Sequence, residues 1–157
     1  MRKIKSLKSL KRELAKLRKQ GKKIVFTNGC FDILHYGHAK YLQDSKAKGD
    51  ILVVAVNSDS SVRKIKGKNR PIVDEANRLK LLASLESIDY LTLFKETTPL
   101  KIIKAVKPDI LIKGADWKKN KIIGSDLVEA YGGKVSTIKL VKGFSTTNLI
   151  KKIAKAK

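Results

Sequence analysis

A doubly wound α/β fold, with a five-stranded parallel sheet covered by helices on both faces, is predicted by two features of this 157-residue sequence. Five short runs are rich in β-branched apolar residues, and helical patterns lie between them. Strict alternation of strand and helix demands crossover connections, which join parallel strands. Leu7, Leu10, Leu14 and Leu17 fall at helical spacing and Gly21 stands where a C-terminal cap belongs, so 6–20 reads as an amphipathic helix with a packing role. Strands follow at 24–27, 51–56, 90–93, 110–112 and 134–138. Helices are expected at 38–48, 74–85, 98–107 with Pro99 in the first turn, and 125–131 closed by Gly132 and Gly133. A last helix is expected over 145–154, and the basic stretch after the second strand reads as a loop.

The length fits one domain, here 1–157 with the 1–21 helix packed on it, able to bury a core without disulfides or structural metal. Continuous apolar runs stop at about eight residues, against the ~20 a bilayer span requires. The leucines of the basic N-terminus are separated by charges rather than forming the apolar block of a signal peptide, so a cytoplasmic protein is expected. Cys30 is the sole cysteine, which excludes an internal disulfide and leaves no metal-ligand spacing for zinc. The formal charge of +22 attracts polyanions of any kind. The lysines are scattered through nearly every segment without interleaved aromatics, as solvated faces rather than a specific nucleic-acid surface.

Ligands on doubly wound sheets bind beyond the carboxyl ends of strands, where the strand order reverses. The first strand runs into T-N-G-C-F-D-I-L-H-Y-G-H, Thr27 to His38, which contains both histidines of the chain. His35 and His38 are three apart at a helix start, so their rings can share one face beside the unpaired N–H groups and positive dipole end that attract phosphate. Gly29 and Gly37 remove side chains where backbone would approach a ligand closely.

With these features the sequence resembles the HxGH nucleotidyltransferase superfamily, and more closely the heptose-1-phosphate adenylyltransferases that make ADP-heptose. The resemblance extends through A-V-N-S-D at 55–59, K-G-K-N-R-P at 66–71, K-G-A-D-W at 113–117 and S-T-T-N at 145–148, nearly the whole chain. It implies in-line attack of a sugar 1-phosphate on the α-phosphorus of ATP, with Mg²⁺ carried mainly by the phosphates and pyrophosphate leaving. Catalysis of this kind is positioning of two anions and neutralisation of charge. The family often fuses this domain to a sugar kinase, which this length does not accommodate, so a separate kinase and a homodimer are implied.

By motif match, His35 and His38 donate to the α- and β-phosphates, and the turn from Thr27 and Asn28 through Gly29, Cys30 and Phe31 to Gly37 holds the nucleotide. Lys66 approaches the phosphates from the opposite side as a lid, with Arg70 on the substrate side, whereas Lys64 and Lys68 read as a solvated charge run. Arg78 matches a substrate-side arginine, although a surface pair with Asp74 explains it equally. Lys46 could reach the triphosphate or simply favour a helix end. Asp59 is a candidate for sugar hydroxyls, and Asp32 either for water-mediated contact with Mg²⁺ or for a structural turn. Lys113, Gly114, Asp116 and Trp117 are placed where the family holds the nucleoside, the alternative for Trp117 being the core. Ser145 and Thr146 are expected to cap the last helix and contact the nucleotide.

A glycerol-phosphate type cytidylyltransferase is the nearest rival; it carries R-T-E-G where this chain has L-V-K-G at 140–143. The H-Y-G-H motif also resembles class I aminoacyl-tRNA synthetases, but no K-M-S-K-S-like loop is present.

Overall fold

The computed structural model describes residues 2–118 and 121–156. Strands β1 (Ile24–Gly29), β2 (Ile51–Asn57), β3 (Tyr90–Phe94), β4 (Ile110–Gly114) and β5 (Lys134–Ile138) form one parallel sheet in the order β3-β2-β1-β4-β5. The chain steps outward from β1 to β3, then returns across the sheet to build β4 and β5 on the other side. The order therefore reverses between β1 and β4, and this reversal creates a crevice at the strands' carboxyl ends.

Both faces of the sheet are covered, which is why β2 reads as an unbroken apolar run rather than an alternating one. Alternate residues feed opposite cores. Phe26, Val53 and Leu111 pack with Leu10, Leu14, Ile102, Ile103 and Val128, while Val25, Leu52, Val54 and Ile112 pack with Leu42 and Leu82. The first group is supplied by helices α1 (Leu7–Lys19), α5 (Leu100–Val106) and α6 (Ser125–Ala130), the second by α2 (Tyr36–Lys46) and α4 (Glu75–Ala83). Helix α7 (Thr146–Ala154) closes the chain.

Helix α1 starts at Ser6, whose hydroxyl accepts from the Ser9 N–H. It ends at Gly21, φ +72°, where the Gly21 and Lys22 N–H groups return to the Arg18 and Leu17 carbonyls. This is the Schellman arrangement that a left-handed glycine permits. Just before α1, Lys3 and Lys5 pair with Leu91, extending the sheet past β3.

One element departs from expectation. The stretch after β2 is not all loop: Asp59–Lys66 forms helix α3, capped by the Ser58 hydroxyl on the Ser61 N–H. Asp59 is thus the first residue of a helix rather than the last of a strand, and Lys66 closes that helix at Gly67, φ +98°. Lys66 therefore stands on a regular element and not on a free lid.

The amino ends of the strands are closed by carboxylates. Asp50 accepts from the Lys23 N–H at 2.8 Å, Asp109 from Ile24 at 2.7 Å and Asp89 from Leu52 at 2.6 Å. Lys46 belongs to this end, with its Nζ 2.5 Å from Asp89 and donating also to the Asp50 carbonyl. The expectation that Lys46 reaches a triphosphate is corrected on this ground. It lies eight residues beyond His38, about 12 Å along the helix at ~1.5 Å per residue, on the far side of the sheet from the crevice.

Candidate active site

The carboxyl ends of β1, β2 and β4 open into a cleft of about 570 Å³ at the point where the strand order reverses. Asn28 and Gly29 come from β1, Asn57 from β2, and Lys113 and Gly114 from β4. The turn after β1 bends sharply at Phe31, a bulky residue held at φ +47°. Such a conformation persists only where its surroundings fix it. Phe31 is buried, meets His38 edge-on at 5.4 Å, and packs its ring where a Cβ on Gly29 would come within 3.0 Å. Gly29 is thus required by this ring.

His35 caps α2, its Nδ1 accepting from the His38 N–H at 3.3 Å. Neutral His35 therefore bears its proton on Nε2, free to donate. The two imidazoles stack with centroids 3.8 Å apart. Burial lowers both pKa values, that of His38 to about 4 with help from the neighbouring His35. The pair is accordingly a set of neutral donors at a helix start, not a pair of cations or a base. Nδ1 of His38 and Oδ1 of Asn28 are buried without a protein partner among the described residues. Buried polar atoms are normally satisfied, so their exception here points to a ligand.

Gly37 is buried between the two histidines, and a Cβ there would lie 2.9 Å from Cβ of Phe144 and 3.1 Å from the His35 ring. The 140–147 segment thus folds directly over the histidine pair, bringing Leu140, Phe144, Ser145 and Thr146 to the cleft. Ser145 caps α7 through the Asn148 N–H, as expected, while also lining the cleft. Trp117 is 47% exposed on the cleft wall, which removes the core reading. Asp116 shares that wall, and its Oδ1 occupies the space beside Gly114 that a Cβ would fill. Cys30, Lys66 and Arg70 complete the lining from the expected residues.

Five expected residues are placed differently. Thr27 is fully buried and hydrogen-bonds the Tyr41 hydroxyl at 2.7 Å, so its side chain braces β1 against α2. Lys46 lies at the opposite end of the sheet, as described. Arg78 is fully buried and makes no pair with Asp74. Its guanidinium donates to Asp59 Oδ1 at 2.7 Å, to the Cys30 carbonyl at 2.5 Å and to the Val73 carbonyl at 3.0 Å. Arg78 and Asp59 therefore form a post behind the turn rather than a substrate contact. Asp32 lines the cleft, but its carboxylate accepts from Arg70 Nε at 2.5 Å and from the Ile72 and Val73 N–H groups. Burial alone would raise its pKa; those donors outweigh it and hold the carboxyl below its ordinary value. Asp32 is a clamp on the 67–74 loop, and its oxygens are taken by protein donors.

The described residues contain no cluster of metal-ligating side chains, and Asp116 is the only cleft carboxylate not already held by cations or N–H groups. Among the described residues, this lining offers a divalent ion one free carboxylate and no cage.

A family model described as cytidylyltransferase-like matches residues 26–153. The chain belongs to this family. That match begins two residues into β1 and takes in the rest of the sheet and the histidine pair. The sequence is 52% identical over 154 residues to bifunctional protein HldE of Geobacter metallireducens, and 48% identical over 150 residues to that of Aliarcobacter butzleri. These alignments take in 98% and 96% of this chain, but the chain spans only 31% of the length of each relative. A lipopolysaccharide core biosynthesis protein from Thermoplasma volcanium has a similar crystal structure, with TM-score 0.63 and 38% identity, covering 79% of this chain and all of that one. Pantoate-beta-alanine ligase from Francisella tularensis, at 17% identity and TM-score 0.64 over 98% of this chain and 77% of its own, shares the fold. The chain is an enzyme of the nucleotidyltransferase class, and no described helix is long and apolar enough to cross a membrane.

Proposed function

We propose that this enzyme transfers AMP from Mg·ATP to D-glycero-β-D-manno-heptose 1-phosphate, giving ADP-heptose and pyrophosphate. The observation that carries the reading is the stacked, neutral His35–His38 pair at the start of α2, set against a glycine turn at the strand reversal. The near-full-length identity with HldE proteins and the T-N-G-C-F-D and K-G-A-D-W segments support the choice of acceptor.

An acceptor phosphate oxygen forms the new bond to the α-phosphorus as the bond to the α–β bridging oxygen breaks, and that electron pair leaves on pyrophosphate. The protein contributes alignment and charge balance. His35 Nε2–H and the N–H groups of the Gly29–Phe31 turn donate to the α-phosphate, His38 donates to its neighbour, Lys66 faces them from the end of α3, and Arg70, held by Asp32 in the following loop, lies on the acceptor side. Asp116 and Trp117 hold the nucleoside, with Ser145 and Thr146 at its phosphate edge. The acceptor comes from a separate sugar kinase, and the enzyme works in the cytoplasm as a homodimer.

The test is pyrophosphate release with ATP, CTP, GTP or UTP against heptose 1-phosphate or glycerol 3-phosphate, with His38→Ala as control. Turnover confined to ATP and heptose 1-phosphate, falling by about 10²–10³ in the control as for loss of one transition-state donor, is expected. Turnover with CTP and glycerol 3-phosphate would replace the substrates and keep the chemistry.

A further inference from the structure

Among the described residues three cationic side chains line the cleft: Lys66, Arg70 and Lys113. Arg70 is committed to Asp32, and Lys66 stands at the exposed end of α3. The stacked histidines are neutral. Lys113 alone projects from the sheet itself, at the end of β4 beside the strand reversal, with its Nζ 3.3 Å from the Asn28 carbonyl. That single bond uses one of the three donors of an ammonium. Asn28 directly precedes the Gly29–Phe31 turn, so the spare donors lie next to the backbone that receives the α-phosphate.

Resting on the nucleotidyltransferase reading, we propose that Lys113 is a catalytic residue whose ammonium binds the transferred α-phosphate, rather than the nucleoside, and is the charge at the cleft floor that compensates it. Burial disfavours its charged form most; of the ionisable groups that face it, Asp116 on its own loop favours that form, while Cys30 on the β1 turn is a thiol that burial keeps protonated. Burial lowers its pKa to about 8. Contact with phosphate raises it again, so nucleotide binding near pH 8 draws a proton from solvent. Lys113 is protonated below that pH, so kcat/KM for the nucleotide is flat on the acid side and falls above about 8.

The experiment is titration calorimetry of wild-type, Lys113→Met and Lys113→Arg proteins with Mg·ATP at pH 8 in buffers of differing ionisation enthalpy, beside kcat/KM from pH 6.5 to 9.5. Wild type should take up about half a proton on binding at a pH equal to its pKa. Lys113→Met should take up none and bind ~10- to 100-fold more weakly, as for loss of a charged hydrogen bond. Lys113→Arg, permanently charged, should keep binding while losing both the proton uptake and the alkaline fall. If Mg·ATP binds with the same proton uptake in all three, or if Lys113→Met weakens ATP no more than adenosine, the assignment of Lys113 to phosphate is wrong while the nucleotide reading stands. If wild type binds no nucleoside triphosphate at all, that underlying reading falls and the proposal with it.

Discussion

His38 shows what burial does to a single side chain at this site. Its imidazole is kept neutral, with a pKa near 4, by removal from water and by the stacked His35. A histidine whose pKa is depressed in the folded state binds protons more readily when unfolded, so stability is complete above about 6.5 and drains away as pH falls toward 4. Thermal melting of the wild type should drop over that window, and His38→Gln should drop less; identical slopes would show that His38 is not held neutral. The histidines, Gly37 and the turn glycine were legible because chemistry and spacing coincide there. Thr27 and Lys46 were misread for a geometric reason. Motif membership says nothing about which way a strand residue faces, or that a lysine eight residues along α2 has passed to the other end of the sheet. Phe144 and Tyr41 escaped notice because their contacts lie far away in sequence; the only signal was Phe144's place directly before S-T-T.

At the scale of elements, Arg78 joins three pieces that sequence leaves separate: α4, which carries it, the first turn of α3 through Asp59, and the β1 turn through the Cys30 carbonyl. Its guanidinium is fully buried, so removing it strands the Cys30 carbonyl and part of the Asp59 carboxylate without a partner. Arg78→Met should cost about 3 kcal/mol in urea unfolding, and Arg78→Lys should rescue little because one ammonium cannot span three acceptors. A loss near the ~0.5 kcal/mol of an ordinary surface change would show that the post carries no load. Five strands and six helices could be read from periodicity, with ends off by a few residues. Helix α3 could not, since D-S-S-V-R-K-I-K buries only Ser61 and Val62 and its lysines and arginine present as a charge run. Ser58 with Ser61 was the cap signal available.

For the molecule as a whole, a charge of +22 surrounds a site that receives anions. Attraction of this range is screened within ~8–10 Å at physiological salt, so kcat/KM for the nucleotide should fall as salt rises from 20 to 300 mM while kcat changes little. A salt-independent kcat/KM would mean the surface lysines do not guide substrate. The same lysines made the sequence ambiguous between nucleotide and polyanion, because net charge carries no geometry, whereas several of the few acids have a defined place in the fold. Asp50, Asp89 and Asp109 close the N–H groups at the amino ends of the strands. Anchoring and chemistry therefore occupy opposite rims of one sheet. A change in acceptor preference can be written into the loops of one rim while the other holds the strands in register, so this scaffold can drift in substrate without first having to be restabilised.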